Sequence, residues 1–342
     1  MATLISWFMI KLIVPLTLFA IGLIYGAGVA GNTIFRAEMI AFFSQRNAVQ
    51  YIYLLDLQRR WEMPLNGAVA NDSGMVWSAD GDALLVTSFR DANSELYLVY
   101  PGSRRGAKNL THNPSSDFAA DWSPDGTQIT FETTRDRNNE IYVMDADGSN
   151  PRNLTQDTAL DRFPQWSPDG TMIAFSTFRG GDRSIYVIAS AGTEAQFLVG
   201  VRSQDHEFVW SADSLHIAFV TSPNGNADIF AVNLITGDII NLTDDPATDV
   251  QPAWSPNGAE IAFVTSRYGL PEVAMMNADG TNIRRLTLHG GSAPVWSLDG
   301  AYIIYETTEN GNRDLYRMRR DGTQHERLTQ YAGADYHAVW RP

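Results

Sequence analysis

The chain has 342 residues, of which 44% are hydrophobic, so it is long enough to bury a large core. Its formal net charge of −14 argues against nucleic acid or an anionic lipid surface as a partner, because both bind basic surfaces. Cysteine is absent, which excludes disulfides, thiolate nucleophiles, cysteine metal sites and a lipid attached through an N-terminal cysteine.

The first predicted element is an apolar N-terminal segment. Leu12 to Phe35 contains no charged residue, and residues 12–30 are long and apolar enough to cross a bilayer as one helix. We therefore expect residues 1–31 to form a transmembrane anchor and residues 32–342 to form a separate folded domain. A cleaved signal peptide is the alternative, because Lys11 ends a short N-terminal region and Gly28-Val29-Ala30 resembles a small-residue cleavage site.

Residues 38–66 contain short strand signals. Ile40-Ala41-Phe42 and Ile52-Tyr53-Leu54 are rich in residues that favour strands, and the second triplet begins ten residues after Phe42. No tryptophan of the repeat described next precedes them.

From Trp77 onward, one unit recurs with a period near 44 residues. Its equivalent tryptophans are Trp77, Trp122, Trp166, Trp210, Trp254, Trp296 and Trp340. Each complete unit has four strand signals, named A to D from the tryptophan onward, as in Ile129-Thr130-Phe131 for B and Ile141-Tyr142-Val143 for C. A fixed period of this length with four short strands predicts an all-β fold, the β-propeller, with one blade per unit.

The two ends of the chain predict how the ring closes. Trp340 is followed only by Arg341 and Pro342, so its unit has a strand A and nothing more. Residues 38–66 have the spacing of strands B, C and D. We therefore predict seven blades, the last made from a C-terminal strand A and these three N-terminal strands, which leaves no open ring edge. The alternative is six blades with a loose N-terminal extension and a C-terminal tail.

The turn residues define two faces of the disc. Ser-Pro-Asp-Gly joins strands A and B in a tight turn, and Asp145-Ala146-Asp147-Gly148 does the same between C and D. We call this side the turn face. The B–C and D–A connections form the opposite side, the loop face, where functional residues are expected because such loops vary most.

The repeat resembles the WD40-like repeats of TolB-type propellers. Residues 117–170 show the pattern most fully, with Trp-Ser-Pro-Asp-Gly and Ile-Tyr-Val-Met-Asp-Ala-Asp-Gly-Ser-Asn. The resemblance implies an exported bacterial propeller of the cell envelope that binds proteins. TolB itself has six blades and an α/β domain ahead of them, so the resemblance does not extend to a particular partner.

One repeated position predicts a binding site. Five residues before the tryptophan, six of the seven units have an aspartate and the other has Gly291; the aspartates are Asp72, Asp117, Asp161, Asp205, Asp249 and Asp335. Lying just before the innermost strand, they are expected to ring one mouth of the central channel and to attract a cation, an arginine-rich segment or a free amino terminus. The alternative is repeated turn chemistry, since aspartate often bonds to its own loop backbone.

Residues that depart from the repeat add to this site. They are Arg162, His206, Glu207, Tyr336 and His337. His206 beside Asp205 and His337 near Asp335 could supply imidazole and carboxylate ligands to a divalent cation, while a polar loop is the alternative.

The sequence lacks the usual catalytic motifs. It has no Gly-x-Ser-x-Gly elbow, no His-Glu-x-x-His and no phosphate-binding glycine loop. We therefore expect a monomeric, membrane-tethered, non-enzymatic propeller that binds a protein or peptide, without a cofactor. A metal-dependent enzyme such as a polysaccharide lyase is the rival hypothesis.

Overall fold

The computed structural model describes residues 38–103, 106–201 and 207–342. These residues form 28 strands arranged as seven four-stranded antiparallel sheets, with no helix. The predicted seven-bladed β-propeller is therefore confirmed. No helix in the described ranges could span a membrane, and the predicted N-terminal helix lies outside those ranges.

Blades are numbered by their tryptophans, from Trp77 in blade 1 to Trp340 in blade 7. Blade 1 contains β4 (Ser73–Trp77), β5 (Leu84–Ser88), β6 (Glu95–Val99) and β7 (Lys108–Asn109). Blade 2 contains β8 (Asp117–Trp122), β9 (Gln128–Thr133), β10 (Glu140–Asp145) and β11 (Arg152–Asn153). Blade 3 contains β12 (Asp161–Trp166), β13 (Met172–Thr177), β14 (Ser184–Ala189) and β15 (Gln196–Gly200).

The next three blades follow the same order. Blade 4 contains β16 (Phe208–Trp210), β17 (His216–Thr221), β18 (Asp228–Asn233) and β19 (Ile239–Asn241). Blade 5 contains β20 (Asp249–Trp254), β21 (Glu260–Thr265), β22 (Glu272–Asn277) and β23 (Arg284–Arg285). Blade 6 contains β24 (Ser292–Trp296), β25 (Tyr302–Thr307), β26 (Asp314–Arg319) and β27 (Glu326–Arg327).

Blade 7 joins the two ends of the propeller. Its sheet order is β28 (Asp335–Trp340), β1 (Met39–Arg46), β2 (Val49–Asp56) and β3 (Trp61–Pro64). Ile40 pairs with Trp340 and Ala41 with Val339. The composite blade is thus confirmed, and the six-blade alternative is wrong.

The core lies between neighbouring blades. One position of strand B is buried in all seven blades and carries a phenylalanine in five of them: Phe42, Phe131, Phe175, Phe219 and Phe263. Four of the repeat tryptophans also link blades, because their indole nitrogens donate to strand A of the preceding blade: Trp77 to Val339 (3.3 Å), Trp210 to Gln165 (3.2 Å), Trp296 to Ala253 (3.0 Å) and Trp340 to Val295 (3.4 Å).

The chain enters the propeller on the turn face. Glu38 lies just before strand B of blade 7, and its carbonyl accepts a hydrogen bond from Leu57 in the C–D connection, at 2.9 Å. The described part of the chain therefore begins on the side of the disc opposite the loop face.

Candidate functional site

Strand A bulges near its start in six of the seven blades, close to the loop face. Two residues after the repeated aspartate position, the backbone is left-handed in six blades, at Gly74, Ala119, Phe163, Gln251, Ala293 and His337. The pairing of strand A with strand B is irregular at the same place. Side chains such as Phe163, Gln251 and His337 rarely adopt this conformation, so the surrounding contacts must hold it.

Most of the predicted aspartates are buried ion-pair partners. Asp72 is 1% exposed, and Asp117, Asp161, Asp249 and Asp335 are fully buried. Four of them pair with an arginine eighteen residues later: Asp72 with Arg90 (3.0 Å), Asp117 with Arg135 (3.0 Å), Asp161 with Arg179 (2.7 Å) and Asp249 with Arg267 (2.8 Å). These carboxylates thus tie the start of strand A to the B–C loop of the same blade.

Asp335 in blade 7 differs from these four. Arg46, at the equivalent position, pairs instead with Glu62 at 2.9 Å. Burial raises the pKa of Asp335 to about 6, and burial likewise raises the pKa of Asp249 to about 6 although Arg267 opposes this shift.

Arg162 lies at the junction of blades 2 and 3. Its side chain is 37% exposed, and its Nε is 3.6 Å from a carboxylate oxygen of Glu132, which is fully buried. The other oxygen of Glu132 accepts a 3.4 Å hydrogen bond from the backbone of Phe163, the bulge residue of blade 3. Burial raises the pKa of Glu132 to about 7, although Asn139 and Arg162 favour its charged form.

Tyr336 and His337 form a similar arrangement between blades 6 and 7. The His337 backbone donates to buried Glu306 at 2.7 Å, and Arg313 pairs with Glu306 at 2.5 Å. The His337 ring stacks on Phe43 at 5.4 Å, and Tyr336 donates to Gln50. Desolvation by the surrounding protein lowers the pKa of His337, and the positive charge of Arg313 lowers it further. Both effects favour a neutral imidazole.

The inner strands of blades 3 to 6 and residues next to them line an open cavity of about 320 Å³. Glu207 lines it and accepts a 2.6 Å hydrogen bond from the backbone of Gln251. The Gln251 side chain in turn accepts one from the backbone of Ala293, at 2.8 Å. These two hydrogen bonds connect strand A of blade 5 to residues at the same position in blades 4 and 6.

Only some of the predicted metal ligands lie in the described part of the chain. Asp205 and His206 lie outside the described residues. Among the residues that are described, no three His, Asp or Glu side chains are placed to bind one metal ion.

The loops of the loop face are fixed by a repeated asparagine. In four blades an asparagine of the B–C loop donates to a carboxylate at the start of strand C and to two carbonyls of the following D–A loop. These asparagines are Asn93, Asn138, Asn226 and Asn312. The loop face is therefore preorganised in these four blades.

The sequence carries signals for the aspartate–arginine pairs and for the two buried glutamates, which were not predicted. In four units an arginine follows the aspartate by eighteen residues, whereas Asp205 is followed at that distance by Pro223, and Gly291, which lacks the carboxylate, by Glu309. Glu132 and Glu306 likewise interrupt a strand B that is otherwise composed of apolar or hydroxyl residues at that position.

Known structures share this fold at low sequence identity. A putative TolB from Agrobacterium tumefaciens is 21% identical with a TM-score of 0.52, over 70% of this chain and 95% of that chain. An oligogalacturonate lyase solved in complex with manganese is 14% identical with a TM-score of 0.61, over 75% of this chain and 76% of that chain. A puromycin hydrolase is 14% identical with a TM-score of 0.68, over 85% of this chain and 52% of that chain.

The sequence comparisons give the family. No curated protein matches the chain. The family model of the TolB beta propeller domain matches residues 102–207 and 207–342, which is well over half of the chain. The chain therefore belongs to the TolB beta propeller domain family.

Proposed function

We propose that this protein is a membrane-tethered, non-enzymatic propeller of the bacterial cell envelope that binds a protein or peptide through its loop face. The observation that carries the proposal is the combination of fixed loops with repeat-breaking side chains at the channel mouth. Fixed loops favour binding because little conformational freedom is lost when a partner docks.

The position of the N-terminal segment supports this arrangement. A membrane helix within residues 1–31 would hold the propeller from the turn face, because Glu38 lies there. The loop face would then point away from the bilayer, where a partner has access to it.

The aspartate ring keeps a supporting role in this proposal. Buried and mostly paired carboxylates hold the loops in place, and the contacts with the partner come from half-exposed residues such as Arg162 and His337. His206 is proposed to contribute as well, although it lies outside the described residues. The net charge of −14 favours a cationic partner surface.

Affinity capture from native membranes tests the proposal. The full-length protein is the bait, and an Arg162→Ala/His337→Ala variant is compared with a Thr236→Ala variant on the turn face. We expect capture of a distinct protein by the wild type and by Thr236→Ala, with a clear loss for the loop-face variant. Equal capture by all three would contradict the proposal.

A metal-dependent lyase remains the rival, favoured by the likeness to the oligogalacturonate lyase. Elemental analysis of the purified full-length protein separates the two hypotheses. We expect no stoichiometric transition metal. One equivalent of metal that is lost in His337→Ala would favour the lyase.

A further inference from the structure

In five of the seven blades, an arginine guanidinium fills the same space on the loop face. It lies over an aromatic ring of its own blade, at 4.1–5.8 Å from the ring centroid. The pairs are Arg46 with Tyr53, Arg90 with Tyr97, Arg135 with Tyr142, Arg179 with Tyr186 and Arg267 with Phe263. The preceding blade can add a contact, as where Arg267 donates to the Thr243 carbonyl at 2.7 Å.

Blade 6 keeps the aromatic residues of this arrangement but has no arginine at the equivalent position. Glu309 replaces it, and Gly291 replaces the aspartate that would pair with it. The aromatic residues remain, as Tyr305 in strand B and Tyr316 in strand C, with ring centroids 5.8 Å apart. Thr287 takes the place of Thr243 in the preceding blade.

The connection between blades 5 and 6 explains the change. Trp254 and Trp296 are 42 residues apart instead of 44, and the shortage lies in the D–A loop, Leu288-His289-Gly290. The shorter loop brings Gly291 so close to Thr287 that a Cβ would lie 2.9 Å from its Oγ1. An aspartate is therefore strongly disfavoured at this position.

The result is a cavity of about 230 Å³ between blades 5 and 6, which we call the blade 5–6 slot. Its lining residues are Thr287, Leu288, His289, Gly290, Tyr305, Glu309 and His325. The Tyr305 hydroxyl is fixed by a 2.9 Å hydrogen bond with Nδ1 of His325.

The slot has the chemistry to bind a cation. Glu309 is exposed and forms no salt bridge with any described residue, so its carboxylate is available. Arg285, in strand D of blade 5, donates to the Leu288 carbonyl at 3.1 Å, and its charge is compensated by Glu272 at 2.6 Å. A carboxylate beside aromatic rings is the combination that holds a guanidinium in the neighbouring blades.

We propose that the blade 5–6 slot binds an arginine side chain of a protein or peptide partner, in place of the arginine that blade 6 lacks. The inference rests on the function proposed above and names the chemistry that the partner presents. Leu288, which lines the slot, is 65% exposed, and the B–C loop of blade 5 adds Tyr268 and Leu270, which are 39% and 58% exposed. They can pack against apolar residues beside that arginine.

Saturation-transfer NMR on the full-length protein in detergent tests this site. The ligand is Nα-acetyl-arginine amide, and Nα-acetyl-citrulline amide is its uncharged counterpart. We expect binding of the arginine compound and at least a tenfold weaker signal for citrulline. Glu309→Gln should weaken arginine binding about tenfold, and Glu309→Arg, which restores the repeat, should abolish it.

Asp244→Asn is the matched control, because it removes an exposed carboxylate from another D–A loop. It should bind the arginine compound as the wild type does, and circular dichroism checks that each variant is folded. Equal binding of arginine and citrulline, or unchanged binding in folded Glu309→Gln, would overturn the proposal. If partner capture from membranes succeeds while these results fail, only the slot is wrong. If the slot binds arginine and no partner is captured, the proposed function is wrong.

Discussion

Ala41 lies directly opposite Val339 in the strand pair that closes the ring. Ile40 opposite Trp340 continues this pair, and the Val339 carbonyl also accepts the indole N–H of Trp77 in the next blade, at 3.3 Å. The C-terminal strand is thereby bonded on one side to the N-terminal strands and on the other side to blade 1.

A disulfide across this closure should stabilise the propeller. Opposite residues of antiparallel strands have Cα atoms within the range that a disulfide spans, and the absence of native cysteines prevents wrong pairing. We expect oxidised Ala41→Cys/Val339→Cys to gain about 2–4 kcal/mol in free energy of unfolding. Thermal melts with and without reductant measure the gain. The two single variants are the controls, and a double variant that forms no disulfide would contradict the register.

The seven-bladed ring could be predicted from the sequence, because residues 38–66 keep the spacing of strands B, C and D and Trp340 marks the missing strand A. The bulges could not, since Phe163, Gln251 and His337 are not residues that signal a left-handed backbone. Burial of the aspartates depends on an arginine eighteen residues later in four blades, and the joint change to Gly291 and Glu309 in blade 6 is the sequence signal of that pairing.

Breaking one buried ion pair should cost much more than removing both of its charges. Arg179→Met leaves Asp161 buried without its 2.7 Å partner, so we expect a loss of about 3–5 kcal/mol in free energy of unfolding. Asp161→Asn/Arg179→Met should lose clearly less than Arg179→Met alone, and therefore less than the sum of Arg179→Met and Asp161→Asn. Urea unfolding of the four proteins measures the coupling energy. Strict additivity would show that the pair does not act as a unit.

Glu132 should make stability depend on pH. Burial raises its pKa from 4.5 to about 7, so the folded protein binds a proton more tightly than the unfolded chain does. The stabilisation by the neutral form is complete below pH 4.5 and is lost as the pH rises through about 7. Relative to Glu132→Gln, the free energy of unfolding of the wild type should fall by roughly 3 kcal/mol at most as the pH rises over this window.

Denaturant unfolding at several pH values from 4 to 8 measures this difference. Glu194→Gln, which changes an exposed carboxylate, is the control and should follow the wild type. Parallel curves for wild type and Glu132→Gln would show that Glu132 does not titrate in this range.

The N-terminal segment should hold the protein in the membrane by hydrophobic insertion. We expect the full-length protein to stay in the membrane fraction through a high-salt wash, because salt screens charges and leaves an apolar helix in place. A chain that begins at Gly31 should be released. N-terminal sequencing of the native protein complements the wash, since a mature terminus at Gly31 would establish a cleaved signal peptide instead.

Site-specific photocrosslinking in intact membranes tests the proposed binding function most directly. A photoreactive phenylalanine analogue is placed at Leu270 or Leu288 on the loop face and at Ile235 or Leu298 on the turn face, all between 58% and 76% exposed. We predict a crosslinked product of one defined mass from both loop-face positions and none from the turn face. Products from the turn face alone, or from neither face, would contradict a loop-face binding module.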